Sequence, residues 1–114
     1  MPRQHERIPV SLEVVLDLGS GKREARISDI SRGGCFVDTI IDVPEGEVIS
    51  FDLRVPSGDW VRLSGKVVHR FPGIGLGLSF VLPLTEEQRT SVYRVIFASG
   101  GKLSGYVDPE AEKK

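Results

Sequence analysis

The chain has 114 residues, 39% of them hydrophobic and 27% charged, with a net charge of −1. That is one domain with enough apolar residues for a single core, and it lacks the basic field with which proteins coat DNA or RNA polymers. No apolar run suffices for membrane insertion, the charged N-terminus is unlike a secretory signal, and the lone Cys35 excludes an internal disulfide, so the expected compartment is the cytosol.

Residues 1–9 read as a polar arm ending at Ile8-Pro9. From Val10 the pattern alternates, with Val10, Leu12, Val14 and Leu16 on one face and Ser11, Glu13 and Asp17 on the other, which predicts a half-buried strand. Gly19-Ser20-Gly21 is a turn, and Arg23 to Ile30 the returning strand with Ala25 and Ile27 inward. Arg32-Gly33-Gly34 interrupts it before the short strand Cys35-Phe36-Val37, where Cys35 reads as a buried packing residue.

After the turn Val43-Pro44-Glu45-Gly46, Ile49, Phe51, Leu53 and Val55 alternate with polar residues, and Pro56-Ser57-Gly58-Asp59 closes a hairpin. Val61, Leu63 and Val67 carry the next strand to Phe71-Pro72-Gly73. His69 shares their alternation face and is predicted to pack, whereas Arg70 points the other way and is the better candidate for a ligand contact. In the last strand Ile74, Leu76, Leu78 and Phe80 face one side, leaving Gly75, Gly77 and Ser79 as a bare face against which something packs close to the backbone.

Thr85 with Gln88 forms a capping box, Glu86 and Glu87 suit the positive helix end, and Val92, Tyr93, Ile96 and Phe97 recur at helical spacing before Gly100-Gly101. These elements predict a mostly-β fold: a six-stranded antiparallel barrel with a C-terminal α-helix. The expected organisation is an arm over 1–9, barrel and helix over 10–99 and a tail over 100–114.

Two short segments offer binding chemistry. Arg3-Gln4-His5-Glu6-Arg7 places two guanidiniums in the arm. Asp29-Ile30-Ser31-Arg32-Gly33-Gly34 lies at a strand–turn–strand junction. It reads either as a tight turn, in which Asp and Ser bond nearby amides, or as a carboxylate, a hydroxyl and a bare backbone able to hold a base edge and a phosphate. A hydrolase is disfavoured because there is no Gly-x-Ser-x-Gly elbow, and a metal site because His5, Cys35 and His69 lack ligand spacing.

Taken together and in this order, Arg3/Arg7 and Asp29/Ser31/Gly34 resemble the paired Arg-x-x-x-Arg and Asp-x-Ser-x-x-Gly motifs of PilZ domains. Gly75-Leu76-Gly77-Leu78-Ser79-Phe80 looks like that family's glycine-containing strand, and the resemblance spans about residues 3–98. It implies a non-enzymatic receptor with no cofactor, whose ligand is cyclic di-GMP and whose output passes to an unidentified effector protein. It implies that Arg3 and Arg7 clamp the ligand, that Asp29 and Ser31 make polar contacts, and that Gly34 permits close approach. Arg32, inside the motif, and Arg70 are further candidate contacts. The alternative is a PilZ-like adaptor for pilus or motility machinery that binds protein alone.

The energetics are compatible with a receptor: a micromolar ligand needs about −8 kcal/mol. Four or five charge-assisted hydrogen bonds at roughly 1.5–3 kcal/mol each supply that even after ordering of the arm.

Overall fold

In the computed structural model, residues 6–100 are described, so Arg3 and His5 of the arm and the predicted tail from Gly101 onward lie outside the described residues. Six strands follow in chain order: β1 (Ile8–Asp17), β2 (Lys22–Ile30), β3 (Gly34–Asp38), β4 (Val48–Arg54), β5 (Trp60–Phe71) and β6 (Gly75–Phe80). They close into a barrel in the order β1-β2-β3-β6-β5-β4, every pairing antiparallel. Closure pairs each strand on both sides and leaves no sheet edge exposed.

The period-two patterning explains the core. Val14, Leu16, Ile27, Val37, Phe51, Leu53, Leu63, Val67, Leu76 and Leu78 are all buried and fill the barrel. Cys35 is buried among them, as its apolar setting predicts. The β3–β4 connection adds Val43 to this core and packs Ile41 against it. Between β4 and β5, Gly58 adopts φ 97°, which only glycine takes without strain, and Val55 N–H reaches Asp59 O at 2.9 Å across the turn.

The strands depart from the sequence reading at three places. β1 takes in Ile8 and Pro9, with Pro9 opposite Asp29 beside a bulge, where its missing N–H is tolerated. Ile74 lies in the β5–β6 turn and is exposed, whereas alternation alone places it inward. β5 carries a register shift between Val67 and His69, so Val68 is the extra residue and the alternation beyond it is inverted.

The helix α1 (Glu86–Ala98) begins at the predicted capping box. Gln88 N–H donates to Thr85 Oγ1 at 3.0 Å, and Thr85 N–H donates to Gln88 Oε1 at 2.8 Å. Val92, Val95 and Ile96 are buried, while Phe97 from the predicted stripe is partly exposed. Gln88 Nε2 also donates to Arg62 O of β5 at 2.8 Å, which ties the first turn of α1 to the barrel. Among the described residues, no helix is long and apolar enough to cross a membrane.

Candidate functional site

The register of β1 and β2 brings the two motifs together. Ile8 stands opposite Ile30 and Pro9 opposite Asp29, so Arg7, one residue before β1, emerges beside the Asp29 carboxylate. Arg7 Nε donates to Asp29 Oδ1 at 3.0 Å, and Nη2 reaches the same oxygen at 2.6 Å. Both side chains remain partly exposed, at 30% and 31%. Both contacts fall on Oδ1, and among the described residues Asp29 Oδ2 and the other guanidinium N–H groups have no further partner. Arg3 lies outside the described residues.

Ser31 is the one buried polar residue of the described chain. Its hydroxyl donates to Gly34 O at 3.4 Å and accepts from Gly33 N–H at 3.3 Å, while Ser31 N–H donates to Gly34 O at 2.8 Å. These bonds make Ser31 a builder of the turn, as the tight-turn reading has it. Gly34 is obligatory for packing: a Cβ added there would overlap the backbone carbonyl of Leu78 on β6. The turn, two residues beyond Asp29, is thereby packed against β6, where Phe80 N–H also donates to Gly33 O at 2.8 Å.

Arg32 goes toward the helix. Its guanidinium lies 5.6 Å from the Tyr93 ring centroid, and Nη2 donates to the Tyr93 hydroxyl at 3.5 Å. The turn and α1 are therefore in direct contact through one side chain. Arg70 goes elsewhere: Nε donates to Asp42 Oδ1 at 2.9 Å and Nη2 contacts Oδ2, a bidentate pair with the β3–β4 connection. The Arg70 hydrogen bonds hold the Asp42 carboxyl below its ordinary range, and Asp42 raises Arg70 in return. Arg70 stands opposite Leu76, whose side chain is buried, so it is not brought to Asp29.

The bulge reverses the expectation for His69. It is exposed, and it pairs with Gly77 on the outer face of the barrel. One row of register partners runs Asp29–Phe36–Gly77–His69 across four strands. The bare face of β6 is covered as the sequence suggested: the Phe36 ring lies over Gly75, and His69 over Gly77. The bulge is what hid this, since a strict period-two count through Val67 turns His69 inward.

Beneath the site, burial pushes the Cys35 thiol up to about 12, with the Asp29 carboxylate adding to the effect and Arg7 opposing it. Cys35 is a packing residue and supplies no nucleophile. Among the described residues, no cluster of His, Cys, Asp or Glu has the makings of a metal site.

The fold and site define a small closed-barrel domain carrying an arginine–carboxylate pair on its outer wall, beside a glycine-bearing turn. A family model described as the PilZ domain matches residues 2–98, and the chain belongs to that family. The barrel superposes on the inhibitor of motility MotI/DgrA of Bacillus subtilis with a TM-score of 0.71 at 16% identity, over 100% of this chain and 53% of that one. The chain thus spans about half the length of the Bacillus protein. It also resembles the PilZ domain of YcgR from Escherichia coli, solved with c-di-GMP, at a TM-score of 0.69 and 15% identity, covering 87% of this chain and 92% of that one. The PilZ domain of CeSA from a cellulose-synthesizing bacterium gives a TM-score of 0.62 at 23% identity, with 82% and 96% covered. No curated protein matches the chain.

Proposed function

We propose that this PilZ domain is a receptor for cyclic di-GMP that signals through a protein partner. The observation that carries the reading is the contact of Arg7 with Asp29, which joins two motifs 22 residues apart in sequence at one point on the barrel wall. A guanidinium forks onto phosphate oxygens or onto the O6/N7 edge of guanine, and it stacks on base faces. A carboxylate accepts from the donor edge of guanine. Arg7 and Asp29 therefore complement the two ends of one nucleotide unit, and each keeps polar atoms unused in the resting pair. Arg3, by its place in the motif, is the second guanidinium of the arm.

In this reading Ser31 and Gly34 act through the turn. They hold the backbone beyond Asp29 against β6 and leave the base contact to the carboxylate. Arg32 connects that turn to Tyr93 on α1, so a ligand that draws on the turn changes the surface the helix presents. Arg70 is occupied by Asp42 and serves the β3–β4 connection.

As a receptor the protein catalyses nothing; its output is the surface formed when Arg7 and the residues before it close on the ligand. Calorimetric titration of cyclic di-GMP into the protein and its Arg7→Ala variant tests the reading. Micromolar or tighter binding that weakens sharply in the variant is expected. Absence of binding to the parent protein leaves the protein-only adaptor in its place.

A further inference from the structure

We infer that the groove between α1 and the β4–β5 hairpin is a docking site for residues 102–108 of this same chain, which fold back along the helix and cover Trp60. The groove shares no lining residue with the Arg7–Asp29 site.

Its two walls come from distant parts of the chain. One is the hairpin, with Val55, Pro56 and Trp60. The other is α1, where Glu87, Thr90, Ser91, Arg94, Val95 and Ala98 recur every three or four residues and so form one continuous face. Thr90, Ser91 and Ala98 are small, and the walls stand apart over about 760 Å³, within the roughly 300–1,000 Å³ of clefts that bury a ligand. Trp60 is 48% exposed at the rim, with the Arg54 guanidinium 5.6 Å from its ring centroid.

The place where the described chain ends selects the occupant. The groove runs to Ala98, and Gly100 follows two residues later. Gly100 has φ 94° and its N–H donates to Phe97 O at 3.2 Å, a left-handed helix end that turns the chain off the axis instead of continuing it. Lys102 is two residues further on, about 7 Å of chain at most. Along α1 the face from Glu87 to Ala98 measures about 16 Å, at about 1.5 Å per residue. The seven residues 102–108 span up to about 23 Å when extended, enough to run its length.

The composition of that segment suits the walls. Leu103, Tyr106 and Val107 are apolar among Lys102, Ser104, Gly105 and Asp108. In an extended chain Leu103 and Val107 share one face, and Gly105 between them has no side chain to hold that face off the helix. Burial of Leu103 and Val107 against Val55, Pro56 and Val95 supplies the driving force. A segment tethered at the end of the groove meets it at high effective concentration, which favours it over a separate molecule.

Trp60 is the single tryptophan of the chain, so its fluorescence reports on the groove. The test measures emission and acrylamide quenching on the full chain and on Leu103→Asp, Val107→Asp and Leu103→Ser, with thermal melts to show which variants are folded. Lys113→Asp, beyond the segment, is the control. Each variant within the segment should shift Trp60 emission to the red and make quenching easier, while Lys113→Asp leaves both unchanged. Leu103→Ser, which adds no charge, carries the test if an Asp variant does not fold. Unchanged emission and quenching in the folded variants overturn the proposal. An equal shift in Lys113→Asp overturns the assignment to residues 102–108. A parent signal that moves to the variants' value on dilution gives the groove to the segment of a second copy and overturns the intramolecular contact.

Discussion

Replacing Asp29 with alanine removes the acceptor for both Arg7 contacts and, if the domain is a cyclic di-GMP receptor, the group that reads a guanine edge. The two losses differ in size. Arg7 and Asp29 are each about a third exposed, so water re-solvates Arg7 and screens much of the attraction. Exposed pairs of this kind contribute about 0.2–1 kcal/mol. For a domain of this size that lowers the melting temperature by a few degrees, since about 1 kcal/mol corresponds to roughly 4–8 °C. In the complex the carboxylate is covered by ligand, and a charge-assisted hydrogen bond there is worth about 1.5–3 kcal/mol, or roughly 10- to 150-fold in Kd. Denaturant unfolding and calorimetric titration on Asp29→Ala separate the two effects. The expected result is a small stability loss beside a large affinity loss. A stability loss of about 3 kcal/mol or more, with affinity intact in the folded fraction, refutes the reasoning. It assigns Asp29 to the turn alone.

Other outcomes follow from the same structure. Gly34→Ala drives a Cβ into the Leu78 carbonyl, so β3 must separate from β6; a loss of about 3 kcal/mol, at the upper end of overpacking costs, is expected in denaturant unfolding. Cys35, buried and raised to about 12, should resist thiol reagents in the native protein at pH 8 and react at the rate of unfolding; rapid native labelling would contradict its burial. The Asp42 carboxyl is held low by Arg70, so the pair's stabilisation is complete above the ordinary aspartate value of about 3.9 and is lost as pH falls through the depressed value. The melting temperatures of parent and Arg70→Met should therefore differ at pH 7 and converge in acid. Affinity for cyclic di-GMP should be indifferent to the same substitution.

Most of the architecture was legible because closure of a barrel imposes one face of each strand on the core. Val14 and Leu16, Phe51 and Leu53, and Leu76 and Leu78 follow that rule without exception, and Thr85 with Gln88 announced the start of α1 through local bonds alone. What was hidden depends on a single inserted residue. Val68 shifts the register of β5, so His69 faces outward and Arg70 takes the parity of buried Leu76. No local pattern in Val67-Val68-His69-Arg70 distinguishes a bulge from continued alternation, because the bulge is settled by the pairing with β6. The motif residues were visible as a set, yet their division of labour was not. Ser31 bonds within the turn, Gly34 accommodates the approach of β6, and Arg32 reaches Tyr93 on a helix 61 residues away. Among the described motif residues, Arg7 and Asp29 meet side chain to side chain at a shared point of the outer wall.

That pair is the centre of the receptor reading, and titration of cyclic di-GMP into the full chain, alongside Arg7→Ala, tests it most directly. A receptor should show saturable binding at micromolar affinity or tighter in the parent and a loss of roughly tenfold or more in the variant. No binding heat from the parent at about 1 mM ligand, where even a millimolar complex is half formed, would contradict it.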